Sequence, residues 1–104
     1  MFWLMTCRHK PGCDVERERS RPAHRAYVAD GGGGIARVLI GSPLTADDAE
    51  QAIGNFGIIE APTREAVQAF AEGDPYARAG IVEEITIVAL ASRFPAERIR
   101  PMTG

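Results

Sequence analysis

Phe2-Trp3-Leu4-Met5-Thr6-Cys7-Arg8 is the stretch on which the fold turns. Its two parities, Phe2, Leu4 and Thr6 against Trp3, Met5 and Cys7, are both largely apolar. Successive side chains of a strand point to opposite faces, so this strand is predicted to be covered on both. Working outward, the next strand segments are Ile35–Ile40, ended by Gly41-Ser42-Pro43, then Phe56–Glu60, then Ile81–Leu90. In the last, Ile85, Ile87 and Ala89 alternate with Thr86, Val88 and Leu90.

Two helical segments lie between them. The first starts at Asp14, read as an N-cap with Glu16 and Glu18 in the first turn, and runs to Gly31. Pro22 leaves two readings open: a helix kinked at the proline, or one that starts near Arg21. The second is capped by Thr63 and carries Ala66, Val67, Phe70 and Ala71 as one apolar stripe. Gly73 ends it, and Asp74-Pro75 enforces the stop before a short turn to Gly80. Residues 44–54 are expected as a polar connection, with Asp47, Asp48 and Glu50 on a solvated surface.

The order β-α-β-β-α-β defines an α+β fold, the ferredoxin-like plait: a four-stranded antiparallel sheet with two helices on one face. Residues 1–104 form one domain. Residues 91–104 are a C-terminal tail, with Arg93, Arg98 and Arg100, expected to wrap the surface or a partner. Two helices cover only one side of such a sheet. The other side is expected to pair with a second copy, giving a homodimer built sheet to sheet.

Composition narrows the function. The chain has 104 residues, 45% of them hydrophobic, with 12 basic and 14 acidic side chains for a net charge of −2. That balance argues against binding nucleic acid by phosphate neutralisation. No apolar run is long enough for a membrane span, and the first residues lack the basic start of an export signal. The expected location is the cytoplasm. Cys7, His9 and Cys13 offer too few ligands, at the wrong spacing, for a metal site. The two cysteines are read as free thiols, and His9 as solvent-exposed in the loop marked by Pro11-Gly12. Gly31–Gly34 is not a phosphate cradle, which follows a strand and opens a helix. Here the glycines close a helix and lead into a strand.

The chemistry-bearing residues fall in two places. On a continuous first helix, Arg17, Arg21 and His24 lie within about 60° of one another. Guanidiniums beside an imidazole suit a small anion, since arginine grips carboxylates bidentately. Asp74, fixed by Pro75, is a carboxylate that folding could bring to His24, where it would select the imidazole tautomer and raise its basicity. On local grounds alone Asp74 is a turn residue, and Arg17 and Arg21 pair on the surface with neighbouring glutamates. Tyr76 is read as a packed aromatic with its hydroxyl at the surface.

Arg17-x3-Arg21-x2-His24, Gly41-Ser42-Pro43 closing strand 2, and Asp74-Pro75-Tyr76-x3-Gly80 together resemble the YciI-like family. That family belongs to the dimeric α+β barrel superfamily, alongside the muconolactone isomerases. The resemblance covers about residues 1–90 and implies a ferredoxin-like protomer, a dimer of facing sheets and a pocket with a His–Asp pair. Carried over by position, the pair is His24 and Asp74, flanked by Arg17 and Arg21; Ser42, next to the strand-ending glycine, and Tyr76 are further candidate substrate contacts. Ser42 between Gly41 and Pro43, the glycine connector and the long tail depart from the family pattern. The implied activity is isomerisation or elimination on a small anionic or aromatic compound, without cofactor or metal. A dimeric module that binds such a molecule without turnover, or a scaffold that assembles through its sheet, would use the same residues.

Overall fold

β1 (Phe2–His9) is an interior strand, with one parity buried and Phe2, Leu4 and Thr6 on the other half-buried. In the computed structural model, which describes residues 1–47 and 49–104, it pairs antiparallel with β3 (Ala52–Glu60) on one side and β4 (Val82–Ala89) on the other. β2 (Arg37–Thr45) completes the sheet beside β3, in the order β2-β3-β1-β4. With α1 (Asp14–Gly34), α2 (Arg64–Gly73) and the one-turn α3 (Pro75–Arg78), this is the α+β ferredoxin-like plait. Among the described residues, no helix is long and apolar enough to cross a membrane.

Strand alternation sends Trp3, Met5, Cys7 and His9 into the helix side, where all four are buried. Trp3, Met5 and Cys7 meet Val38 and Ile59 from the neighbouring strands and Val67, Phe70 and Ala71 from α2. The Trp3 indole N–H is satisfied by the Ala61 carbonyl at 3.1 Å, as a buried donor must be.

α1 runs from Asp14 through Pro22, so the helix does not start near Arg21. Its N-cap is Cys13, so Asp14 is the first helical residue, and the Asp14 carboxylate instead accepts a hydrogen bond from Gln51 at 2.7 Å. Right-handed geometry stops at Asp30, because Gly31, Gly32, Gly33 and Gly34 all have positive φ. Only glycine does this without strain over consecutive residues. A Cβ on Gly31 would also lie 2.1 Å from the Ala36 carbonyl oxygen. The run is a stop and a turn. α2 begins at Thr63, whose hydroxyl accepts from the Ala66 N–H at 3.1 Å.

Several boundaries differ from the expectation, among them the start of strand 2, which is Arg37 because Ile35 caps the end of α1. Strand 2 does not end at Gly41-Ser42-Pro43 but continues to Thr45, with Pro43 opposite Asn55. An edge strand tolerates proline because one side of its backbone has no ladder to donate to. Strand 3 starts at Ala52 rather than Phe56, so the polar connection shrinks to a hairpin loop; Asp48 lies outside the described residues. The turn after Asp74 is the short helix α3, started by Pro75.

Residues 91–104 lie across the fold. Leu90 N–H bonds to the Phe2 carbonyl and the Phe94 ring packs on Phe2 at 5.7 Å. After a 3₁₀ turn at Ala96–Arg98, the chain reaches β2, where Met102 and Thr103 bond to the Val38 backbone.

Candidate active site

A row of missing side chains makes room for the site. Met5, Gly57 and Gly41 face one another across β1, β3 and β2 on the helix side. With two glycines in the row, no side chain fills the space beneath α1, and a cavity of about 230 Å³ opens there. Its apolar walls include Met5, Val38, Ile59 and Phe70; its polar wall comes from α1 and Asp74.

α1 presents Arg17, Arg21, His24 and Arg25 to this cavity. The spacings of three and four residues put them on one strip of the helix. His24 Nδ1 donates to the Asp74 carboxylate, at 2.8 Å to Oδ2 and 3.0 Å to Oδ1. Nε2 has no partner among the described residues and belongs to a side chain that lines the cavity. Asp74 is only 8% exposed and also caps α3, accepting the Tyr76 N–H at 2.8 Å. One carboxylate therefore starts a helix and fixes a tautomer.

Tyr76 controls the same imidazole from its face. The two rings stack with centroids 4.2 Å apart and 18° between planes. Asp74-Pro75-Tyr76 thus grips His24 by edge and by face. The phenol is buried, not at the surface as the sequence reading had it. Burial pushes the Tyr76 pKa up, against the pull of the Arg17 guanidinium, whose Cζ lies 5.5 Å from the ring centroid. The phenol stays protonated at neutral pH.

His9 is a second correction. It is the last residue of β1 and is buried, not in a solvated loop. Its Nε2 donates to Asn55 Oδ1 at 3.0 Å, and its ring meets Tyr76 edge-on at 5.1 Å. Burial lowers its pKa and the Arg17 charge lowers it further, while Asn55 and Asp74 work the other way. It is therefore neutral. Its Nδ1 and the Nε of Arg17 are buried without partners among the described residues. The missed signal was parity, since Trp3, Met5 and Cys7 point the same way.

Ser42 belongs to the opposite face. Its row partners are Phe56 and Thr6, and its exposed hydroxyl donates to the Pro43 carbonyl. Only its position at the cavity rim remains of the expected contact. Arg21 lines the cavity while making a long 3.5 Å pair with exposed Glu18, an interaction of little strength. Arg25 and Met102 also line the cavity, and the sequence reading passed over both. Arg25 was recoverable, since it extends the four-residue spacing of Arg17 and Arg21; Met102 carries no such signal. Cys7 sits on the neighbouring row with its thiol pushed up to about 12, mainly by burial, so it is no nucleophile.

The ferredoxin-like plait itself is a fold that known proteins share. A model of the YCII-related domain matches residues 1–91, and the chain belongs to that family. Among solved structures, it is similar to the 5-chloro-2-hydroxyhydroquinone dehydrochlorinase of Burkholderia phenoliruptrix AC1100 in complex with 2,5-dihydroxybenzoquinone. The two share 26% identity and superpose with a TM-score of 0.74, over 88% of this chain and 94% of that one. No curated protein matches the chain.

Proposed function

We propose that this protein is an acid–base enzyme acting in the cytoplasm, without a cofactor, on a small anionic, hydroxylated aromatic or quinoid compound. The observation that carries this reading is the His24 Nδ1–Asp74 contact at 2.8 Å at the wall of a cavity flanked by arginines. His24 is the base. Its Nε2 takes a proton from the substrate, and Asp74 stabilises the imidazolium that forms. Arg17 and Arg21 hold the oxyanion left on the substrate, and Tyr76 keeps the imidazole in plane. In an elimination, the electron pair released by the lost proton expels the leaving group as an anion. In an isomerisation, the imidazolium returns the proton to another carbon. The similar dehydrochlorinase, named for loss of hydrogen chloride from a chlorinated hydroxyhydroquinone, supports the first of these.

The test is turnover across a panel of chlorinated and hydroxylated hydroquinones, followed by mass spectrometry. The wild type is expected to convert at least one compound, and His24→Ala to lose about 10²–10⁴-fold in rate while staying folded. Full activity in that variant sinks the mechanism. Binding without conversion, even on prolonged incubation, makes the protein a binding module instead.

The active form we propose is a homodimer. Val88, Leu4, Ile58 and Ile40 form a continuous apolar row across all four strands on the face without helices. Ile40 and Val88 are substantially exposed on it, 43% and 50%. A second copy seated face to face would bury that row. Sedimentation showing a monomer at every concentration would refute it.

A further inference from the structure

Met102 reaches the cavity from a part of the chain that the family match does not include. The match ends at residue 91, whereas the segment beyond it crosses from β4 at one edge of the sheet to β2 at the other. It docks at an irregularity. Val38 pairs with Ile59 and Ile40 with Ile58, so Leu39 is an extra residue in β2. Such a bulge re-aims backbone groups at a sheet edge. The Met102 N–H is shared by the Val38 and Leu39 carbonyls at 3.0 and 3.2 Å, and the Thr103 N–H reaches Val38 at 3.1 Å.

Thr103 fixes this arrangement. Its hydroxyl accepts from the Val38 N–H at 2.9 Å and donates to the Val28 carbonyl at 2.8 Å. One side chain thereby ties β2 to the end of α1, the two elements whose separation creates the cavity. Val28 and Val38 both line that cavity, and Met102 stands with them, half exposed. The anchor is polar and specific while the residue it delivers is apolar and unbranched. Methionine adapts to irregular space and makes favourable sulfur contacts with aromatic edges.

We infer that residues 99–104 are a built wall of the pocket, with Met102 as the residue that sets how large an aromatic ring the cavity accepts. The inference rests on the reading of the cavity as a small-anion site, and deepens it. The side chains on α1 hold the charge; Met102 measures the body. Its thioether carries no titratable proton, so it has no role in proton transfer.

The experiment uses the three methionines as reporters, with benzoate and 1-naphthoate as probes of increasing ring size. In protein carrying ¹³C-labelled methionine methyls, Met5 and Met102 line the cavity and Met1 is exposed. Benzoate is expected to shift the first two and leave Met1 unmoved. Met102→Ala is expected to favour 1-naphthoate over benzoate by about tenfold relative to wild type, and Met102→Phe to reverse the preference. If the Met5 methyl moves and the Met102 methyl stays still, the wall is not part of the site and the inference falls while the pocket stands. Wild-type selectivity in both folded variants overturns it equally. If neither methyl moves with either probe, the pocket reading fails and takes this inference with it.

Discussion

Two neighbouring rows of the same sheet have opposite fates. On the helix side, Ile87, Met5, Gly57 and Gly41 lie abreast; one residue along, on the other side, lie Val88, Leu4, Ile58 and Ile40. The first row loses its side chains halfway across, and a cavity opens where they would have been. The second keeps a branched apolar residue on every strand and presents a flat surface. Backbone pairing is the same in both, so the difference lies in the side chains alone. In the proposed function, the hollowed face would serve chemistry and the other face assembly.

The largest effect should come from refilling the hollow. In Gly57→Leu, the new Cβ would meet Ile59 Cδ1 at 3.0 Å and Met5 Cε at 3.7 Å, both ends of flexible side chains. The fold is expected to survive at a cost of about 1–3 kcal/mol. Ligand affinity and turnover are expected to drop by about 100-fold, the equivalent of some 3 kcal/mol. Calorimetry with benzoate, beside a thermal melt, measures both. Unchanged binding in a folded Gly57→Leu protein would mean that the cavity is not where ligands go.

The opposite change targets the flat row. Ile58→Lys places a charge in the middle of the apolar surface, without touching the cavity row. Its expected effect is a dimer at least tenfold weaker by sedimentation, with the protomer's thermal midpoint little altered. A dimer of undiminished strength would move the interface elsewhere. Loss of catalysis along with the dimer would show that the two faces are coupled rather than separate.

How much of this was legible beforehand divides along a physical line. Properties carried by one segment could be read: the double-sided apolarity of Phe2–Arg8, the Thr63 cap and the glycine stop after Asp30. The spacing of Arg17, Arg21 and His24 could be read as well, and motif resemblance joined His24 to Asp74 across 50 residues. Properties that depend on register between segments could not. Gly41 reads as the end of strand 2 and Gly57 as an ordinary strand glycine until pairing sets them side by side. Ser42 changes face with the same register, because strand alternation admits no intermediate. His9 was misplaced by one residue of strand length, where the Pro11-Gly12 turn outweighed parity. Met102 depends on a bulge and a hydroxyl contact 65 residues apart, which no local pattern encodes.

The smallest effect sharpens the comparison from inside the hollowed face, where a buried titratable group costs stability that the flat face never risks. His9 in the unfolded chain titrates near 6.5, and in the fold its pKa lies lower, because burial and Arg17 disfavour the cation. Between those values the unfolded chain holds the extra proton. Stability is therefore complete above pH 6.5 and falls as pH drops through that window towards the folded pKa. His24 adds slightly to the lowering, whereas Asn55 and Asp74 oppose it. In His9→Gln the side chain keeps an amide to offer Asn55 and loses the proton. Denaturant unfolding at pH 7.5 and pH 5 should show a smaller decline for the variant than for wild type. Equal declines would mean that His9 is already charged in the fold, with its proton shared inside the cluster around Tyr76.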